Sequence, residues 1–136
     1  MPNNLNFQVS NPPQIHKPNG YSHVVEVTAG KMVYISGQVA PDGSGNIVRE
    51  GDYRAQIQRV FRNLKAALES AGASFHNLVK LNYYIVDSVE SSELFAYREV
   101  RDQYVDTANP PAATVIVRRR LYRPEFLVEI EAVAFV

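Results

Sequence analysis

One segment of the chain carries an unbroken helical repeat, which limits the possible folds more than any other feature. Between Tyr53 and Ala71, apolar residues recur at three- and four-residue spacing and so lie on one face of a helix. Gly72 follows at once and can end this helix in the left-handed conformation. Because a helix with a single apolar face must pack that face against another element, the segment needs a sheet or a second helix beside it.

Runs of β-branched and aromatic residues on both sides of this segment predict strands. Val24 to Val27 and Met32 to Ser36 are two of them, and Ala29-Gly30-Lys31 between them predicts a tight hairpin. The turn formers from Pro41 to Asn46 predict an exposed loop. The remaining strand candidates are Phe7 to Val9, Leu78 to Val86, Ala113 to Val117 and Phe126 to Phe135.

A second helix is predicted from about Ser92 to Val105, with its start capped by side chains between Asp87 and Ser92. Its apolar residues lie on roughly one face, so it should also pack on a sheet. The order of elements predicts an α+β or α/β arrangement, in which helices cover one side of a mixed sheet.

Length and composition exclude several classes of protein. A chain of 136 residues suits one domain, spanning residues 1–136, with a core that needs no metal or crosslink. The 14 acidic and 14 basic side chains balance, so no overall charge draws the protein to nucleic acid or membranes. The absence of cysteine excludes disulfides and thiolate chemistry. With no secretory signal from Met1 to Leu5 and no membrane-spanning run, we expect a cytoplasmic protein.

Two carboxylates occupy one face of the last predicted strand. Glu129 and Glu131 alternate with Val128, Ile130 and Ala132, which places the carboxylates about 7 Å apart beside apolar neighbours. Either both point into water or pair with arginine, or one enters a cleft formed with a second subunit. In such a cleft, partial desolvation would raise its pKa into a range useful for a general acid or base.

Several blocks over nearly the whole chain resemble the RidA family, also called YjgF/YER057c/UK114. The blocks are Pro18 to Tyr21 with Ser22-His23, Val33 to Gln38, Ala55 to Ala71 with Gly72-Ala73-Ser74, Leu78-Val79-Lys80, Asn109 to Val115 and Glu129 to Ala132. The resemblance implies the α+β, chorismate-mutase-like fold, with a mixed sheet and two helices on one face. It also implies a homotrimer with a cleft for a small-molecule ligand at each subunit interface.

The resemblance further implies a set of site residues. Glu129 corresponds to the family's water-positioning catalytic glutamate, and Glu131 is the competing assignment if the register differs. Tyr21 corresponds to the family's cleft tyrosine. Ser36 corresponds to a serine near the substrate carboxylate, and Gly37 would let a backbone N–H approach an anion closely.

One position departs from the family pattern. Ala113 stands where the family's imine deaminases have an arginine that holds the substrate carboxylate through a two-pronged ion pair, and Thr114 matches the serine that follows. Losing one partner of a desolvated charge pair costs about 2 to 5 kcal/mol, so the usual 2-imino acid deamination is in doubt. Arg119 lies six residues farther along, roughly 20 Å at strand rise, and cannot replace it within one subunit.

Three functions remain open. The first is hydrolysis of an enamine, imine or related small carbonyl compound by Glu129. The second is binding of a metabolite without turnover. The third is RNA binding or cleavage, in which Arg118 to Arg120 and Arg123 contact phosphates and Tyr122 stacks on a base. A short basic run in a neutral chain is more typical of a solvated rim or of ion pairs between subunits, so nucleic acid is the least favoured partner.

No cofactor or metal is expected. The sequence has no phosphate loop, dinucleotide fingerprint or Ser-His-Asp spacing. His16, His23 and His76 do not have the spacing of a paired metal site and are expected in loops or at the surface. His23 is two residues past Tyr21, so it could project toward the same cleft.

Overall fold

The computed structural model describes residues 7–41, 45–47 and 51–136, so residues 42–44 of the predicted Pro41 to Asn46 loop lie outside the description. Within it are six strands and two α-helices. In chain order they are β1 (Phe7–Ser10), β2 (Val24–Val27), β3 (Met32–Gln38), α1 (Tyr53–Ser70), β4 (Leu78–Val86), α2 (Tyr97–Tyr104), β5 (Ala112–Arg118) and β6 (Val128–Phe135). Short 3₁₀ turns at Phe75–Asn77 and Leu94–Ala96 lead into β4 and α2.

The main sheet has four strands in the order β3-β6-β4-β5, with β4 and β5 parallel and the other pairs antiparallel. It is the predicted mixed sheet. Both helices pack on one face of it, and their buried side chains share a single core with Leu81, Tyr83, Ile130 and Ala132 of β4 and β6. The predicted α+β arrangement, a mixed sheet with two helices on one face, is confirmed.

Helix α1 forms as its periodicity predicts. The Asp52 side chain caps its first turn by accepting a hydrogen bond from the Ala55 N–H at 3.0 Å. Gly72 follows with φ of +73°, in the left-handed conformation that the sequence predicted. Ile57, Phe61 and other residues of the apolar face are fully buried.

The predicted hairpin between β2 and β3 is wrong. Strand β2 pairs with β1 in a separate two-stranded sheet, whereas β3 pairs with β6. Lys31, in the supposed turn, exchanges both of its backbone hydrogen bonds with Val136, at 2.9 and 3.0 Å. The end of the chain therefore supplies the partner that a hairpin would have supplied.

The start of the second helix also differs from the prediction. The chain enters α2 through the 3₁₀ turn, and neither Glu93 nor Ala96, at the two cap positions, makes a side-chain capping bond. Capping from the segment between Asp87 and Ser92 is therefore wrong. The Glu93 carboxylate instead accepts a hydrogen bond from Arg54 at 3.0 Å, which ties the turn to α1.

Strand register decides which side chains share a face of the sheet, because directly paired residues point to the same side. Leu81 pairs with Ala113, and this face lies under the helices. Asn82 pairs with Thr114 on β5 and with Glu131 on β6, so these side chains lie on the opposite face, which we call the open face. Ala113 and Thr114, although adjacent, therefore face different environments.

Candidate functional site

The six site residues predicted from the sequence divide between the two sides of the main sheet. Tyr21 and Ala113 line a cavity of about 270 Å³ beside α2, β4 and β5, which we call the α2 cavity. The other four lie at the open face: Ser36, Gly37, Thr114 and Glu129. Within one chain the sheet separates the two groups, so the structure does not bring all six together.

The loop that carries Tyr21 is anchored to the start of β5. Ser22 is buried, its N–H donates to the Pro111 carbonyl at 3.0 Å, and its hydroxyl donates to the Pro110 carbonyl. The Tyr21 hydroxyl and the Nε2 of His16 are hydrogen-bonded at 2.8 Å. His23 packs edge-on against the Tyr21 ring, with 5.3 Å between ring centroids, so it lies beside Tyr21 as its position suggested.

Two arginines of α2 also line the α2 cavity, and sequence reasoning missed both. The side chain of Arg101 is only 5% exposed, and its Nε donates to the Asp102 carboxylate at 2.8 Å. The Arg98 guanidinium lies over the Phe95 ring, 4.2 Å from its centroid. The signal was present in the sequence, because Arg101 falls at helical spacing among the apolar residues of the inner face of α2.

The absence of a side chain at Gly20 leaves room for the Arg101 guanidinium. The Gly20 φ of +79° is in the region that favours glycine, and a methyl group at this position would overlap the guanidinium. The loop before Tyr21 can therefore lie against the Arg101 guanidinium in its present position because residue 20 has no side chain.

Glu129 is the most distinctive group on the open face. Its half-buried carboxylate lies against Gly37, where a methyl group would overlap it. Within the described residues it has no hydrogen-bond partner, whereas Glu131 accepts hydrogen bonds from the Tyr84 hydroxyl at 2.8 Å and the Asn82 amide at 3.1 Å. Burial, and secondly the charge of Glu131, raise the pKa of Glu129. Of the two carboxylates, Glu129 is thus the one left free.

Ser36 and Thr114, also on the open face, are exposed. The Ser36 carbonyl accepts a hydrogen bond from the Gln38 side chain at 3.0 Å. The Thr114 hydroxyl accepts one from the Lys80 ammonium at 2.9 Å. Both hydroxyls remain accessible to a ligand that reaches the open face.

A wide groove of about 510 Å³ runs along the open face past Glu129 and Glu131. Arg118, Arg120 and the exposed Tyr122 form its other side. The groove therefore carries both signs of charge, and the predicted basic run contributes to it with two of its three arginines.

In the described part of the chain, no group of three or more His, Cys, Asp or Glu side chains is placed to hold a metal ion. His76 instead pairs with Asp106 at 3.2 Å. Over the same residues, neither helix has the length and apolar character required to cross a bilayer.

The raised pKa of Glu129 predicts a pH-dependent effect of Glu129→Gln on stability. The folded state binds its proton more tightly than the unfolded state, so Glu129 makes stability fall as pH rises from the ordinary glutamate value through the raised one. Glutamine removes this loss. We expect the melting temperature of the variant, relative to the parent, to rise as the pH increases from below the ordinary glutamate pKa of 4.5 through the raised one. The matched control is Glu26→Gln, at an exposed carboxylate. A difference in melting temperature between the Glu129→Gln variant and the parent that does not change with pH would contradict the prediction.

Comparison with known proteins gives consistent results. A family model described as endoribonuclease L-PSP matches residues 13–136. A RutC family protein from Pyrococcus abyssi is 33% identical over 120 residues, which are 88% of this chain and 89% of that one. A 2-iminobutanoate/2-iminopropanoate deaminase from Dermatophagoides farinae is 32% identical over 95 residues, 70% of each chain. A solved structure of a Rid family protein of unknown function from Yersinia pestis has a TM-score of 0.90 at 36% identity, covering 97% of this chain and 100% of that one.

Proposed function

The chain belongs to the RidA (YjgF/YER057c/UK114) family, and from this premise we propose that it hydrolyses a small metabolite with an imine, enamine or related carbonyl group. The observation that carries the proposal is Glu129, a half-buried carboxylate with a raised pKa and no hydrogen-bond partner in the described residues. A carboxyl group whose pKa lies closer to neutrality both accepts and returns a proton more readily.

In the proposed reaction, Glu129 takes a proton from water while the water oxygen attacks the imine carbon. It then returns this proton to the nitrogen, which gives a carbinolamine. A second proton passes through the same carboxylate from the carbinolamine hydroxyl to the nitrogen, the C–N bond breaks as ammonia leaves, and the C=O bond of a carbonyl compound forms. We propose that Ser36, Gly37 and Thr114 contact the substrate from the open face. Tyr21 and Ala113 would contact it from the α2 cavity.

Because the sheet separates these two groups within one chain, a cleft that unites them requires a second copy. We propose the homotrimer with clefts at its interfaces that the sequence resemblance implies. Strand β5 is the last in the sheet order and lies beside the α2 cavity, so a neighbour packed there can present its own open face. Large apolar side chains are available for burial, including Tyr34 at 74% and Val117 at 48% exposure. A mass of one chain in light scattering at micromolar concentration would contradict this assembly.

We expect 2-iminopropanoate and 2-iminobutanoate to be poor substrates, because Ala113 provides no guanidinium at the position from which the arginine of the family's imine deaminases holds their carboxylates. The measurement is ammonia release from the freshly generated imines, beside an arginine-bearing relative. We expect a rate constant kcat/KM lower by roughly thirtyfold or more. Equal turnover would contradict the prediction. If the chain binds small carbonyl compounds but hydrolyses no imine or enamine, the alternative of a metabolite-binding protein without turnover replaces the proposal.

An RNA-directed activity is the other alternative, and the open-face groove is the surface that would serve it. Arg118 and Arg120 line the groove with Tyr122, as phosphate contacts and base stacking would require. Glu129 and Glu131 line the same groove and repel phosphates. We therefore favour the small metabolite. Salt-sensitive RNA retention that disappears when residues 118–120 are replaced would reverse this preference.

A further inference from the structure

The α2 cavity contains a buried positive charge that the proposed hydrolysis by Glu129 does not explain. We propose that Arg101 binds the carboxylate of the substrate in this cavity, in place of the arginine missing at position 113, and that the substrate bears a bulky apolar group. The inference deepens the proposed function and rests on it in one respect, because it assigns the carboxylate to the molecule whose imine or carbonyl group reacts.

The Arg101 guanidinium is buried but only partly paired. Burying a guanidinium is costly unless it is paired and hydrogen-bonded. Arg101 is 5% exposed, yet its interaction with Asp102 engages only Nε, and Asp102 is itself half exposed. In the described part of the chain, no hydrogen bond engages the two terminal nitrogens, which lie against Gly20 at the cavity wall. Two parallel N–H donors on one guanidinium match the two oxygens of a carboxylate.

Two buried polar atoms beside the cavity lack partners among the described residues. These atoms are the Tyr83 hydroxyl and the Arg98 Nε, and neither makes a hydrogen bond within that part of the chain. Both side chains line the α2 cavity. Buried polar groups are nearly always satisfied, so such a pair indicates an absent partner. An arginine nitrogen can only donate and a tyrosine hydroxyl can donate, so the missing partner is an acceptor, as a carboxylate is.

The size and apolar lining of the α2 cavity indicate a bulky substituent on the ligand. Phe95, Tyr97 and Val115 provide apolar surface, and Ala113 leaves open the space that a longer side chain would fill. The volume of about 270 Å³ is somewhat below the range of drug-sized sites, and it is large for a two- or three-carbon acid. A carboxylate with an aromatic or branched substituent would fill it. This also agrees with the poor turnover expected for 2-iminopropanoate.

The test compares two stable carbonyl compounds that differ at one end. 2-Oxo-4-phenylbutanoate has the carboxylate, and 4-phenylbutan-2-one has a methyl group in its place. In calorimetric titrations of the full chain, we expect the acid to bind roughly thirtyfold or more tightly than the ketone. Arg101→Met should reduce the affinity for the acid to that for the ketone, with little change for the ketone. The matched control is Arg62→Met, which removes an exposed arginine of α1.

A second variant keeps the test decisive if Arg101→Met fails to fold. Gly20→Ala keeps the arginine but places a methyl group where its guanidinium lies and strains the backbone at φ of +79°. The affinity for the acid should therefore fall roughly tenfold or more relative to that for the ketone, which measures the strain alone. Ala113→Leu should weaken the binding of 2-oxo-4-phenylbutanoate more than the binding of pyruvate, because the leucine side chain fills the space that the phenyl group would occupy.

Equal affinity of the parent for the acid and the ketone would overturn the inference, as would acid binding unchanged in a folded Arg101→Met or Gly20→Ala variant. This failure is distinct from failure of the proposed function. If imines are hydrolysed but the acid is not preferred, only the Arg101 assignment is wrong. If the acid is preferred but no imine or enamine releases ammonia, the carboxylate site stands and the hydrolytic function is wrong.

Discussion

Replacing Gln56 by alanine should lower the free energy of unfolding by about 3 kcal/mol, since each buried polar group that loses its hydrogen-bond partner costs about 1–3 kcal/mol. Gln56 is fully buried in α1 and holds the segment that leads into β6. Its Nε2 donates to the Glu125 carbonyl at 3.0 Å, and its Oε1 accepts from the Leu127 N–H at 2.9 Å. Alanine leaves both backbone groups without this partner and opens a cavity. Urea denaturation measures the change.

The matched control for this prediction is Gln58→Ala, on the same helix at a half-buried position. We expect a change within about 0.5 kcal/mol, as for other substitutions without buried partners. If Gln56→Ala costs no more than Gln58→Ala, the bridge between α1 and β6 contributes nothing and the prediction is wrong.

A second substitution at the same position separates hydrogen bonding from packing. Gln56→Glu keeps the shape but loses the donor to Glu125 when it is ionised. Burial raises the pKa of such a carboxyl group, and its protonated form recovers an O–H donor. The Gln56→Glu variant should therefore gain stability relative to the parent as pH falls, whereas Gln56→Ala should not. A parallel pH response of the two variants would point to packing alone.

The elements predicted with the correct type are those whose signal is local. The apolar spacing from Tyr53 to Ala71 and the left-handed Gly72 describe α1 to within one residue, and β4 has the predicted bounds. The hairpin failed because strand pairing is not local. Ala29-Gly30-Lys31 has turn chemistry, but the edge offered by β6 and Val136 determines where β3 pairs.

The candidate site was predictable as a set of residues but not as a geometry. Glu129 and Ala113 were identified from blocks of sequence, and the strand alternation that would place them on opposite faces depends on register with β4. Arg101 was missed for a related reason. Spacing along the chain compares Ala113 only with nearby positions such as Arg119, whereas α2 and the Gly20 turn approach the same place from elsewhere in the sequence.

Replacing Glu129 by glutamine should reduce kcat by about a hundredfold to ten-thousandfold if Glu129 transfers the proton in the proposed hydrolysis. Glutamine fits the same space against Gly37 but cannot accept a proton. The variant should still fold cooperatively and keep its assembly mass, so melting curves and light scattering are the controls. Turnover within about threefold of the parent would exclude Glu129 as general acid or base, since loss of such a group costs far more.

Glu131→Gln is the matched comparison for Glu129→Gln. It removes the charge beside Glu129 but keeps Glu129 itself. The Glu131 carboxylate is occupied by Tyr84 and Asn82, and a glutamine oxygen can still accept from them. The Glu131 charge contributes to the raised pKa of Glu129, so its removal lowers that pKa. We therefore expect a loss of turnover below about tenfold. The inflection of kcat/KM with pH that belongs to Glu129 should move to lower pH, whether Glu129 acts as acid or base. A purely structural Glu129 would leave the inflection in place, and an unmoved inflection in an active Glu131→Gln variant would assign it to another group.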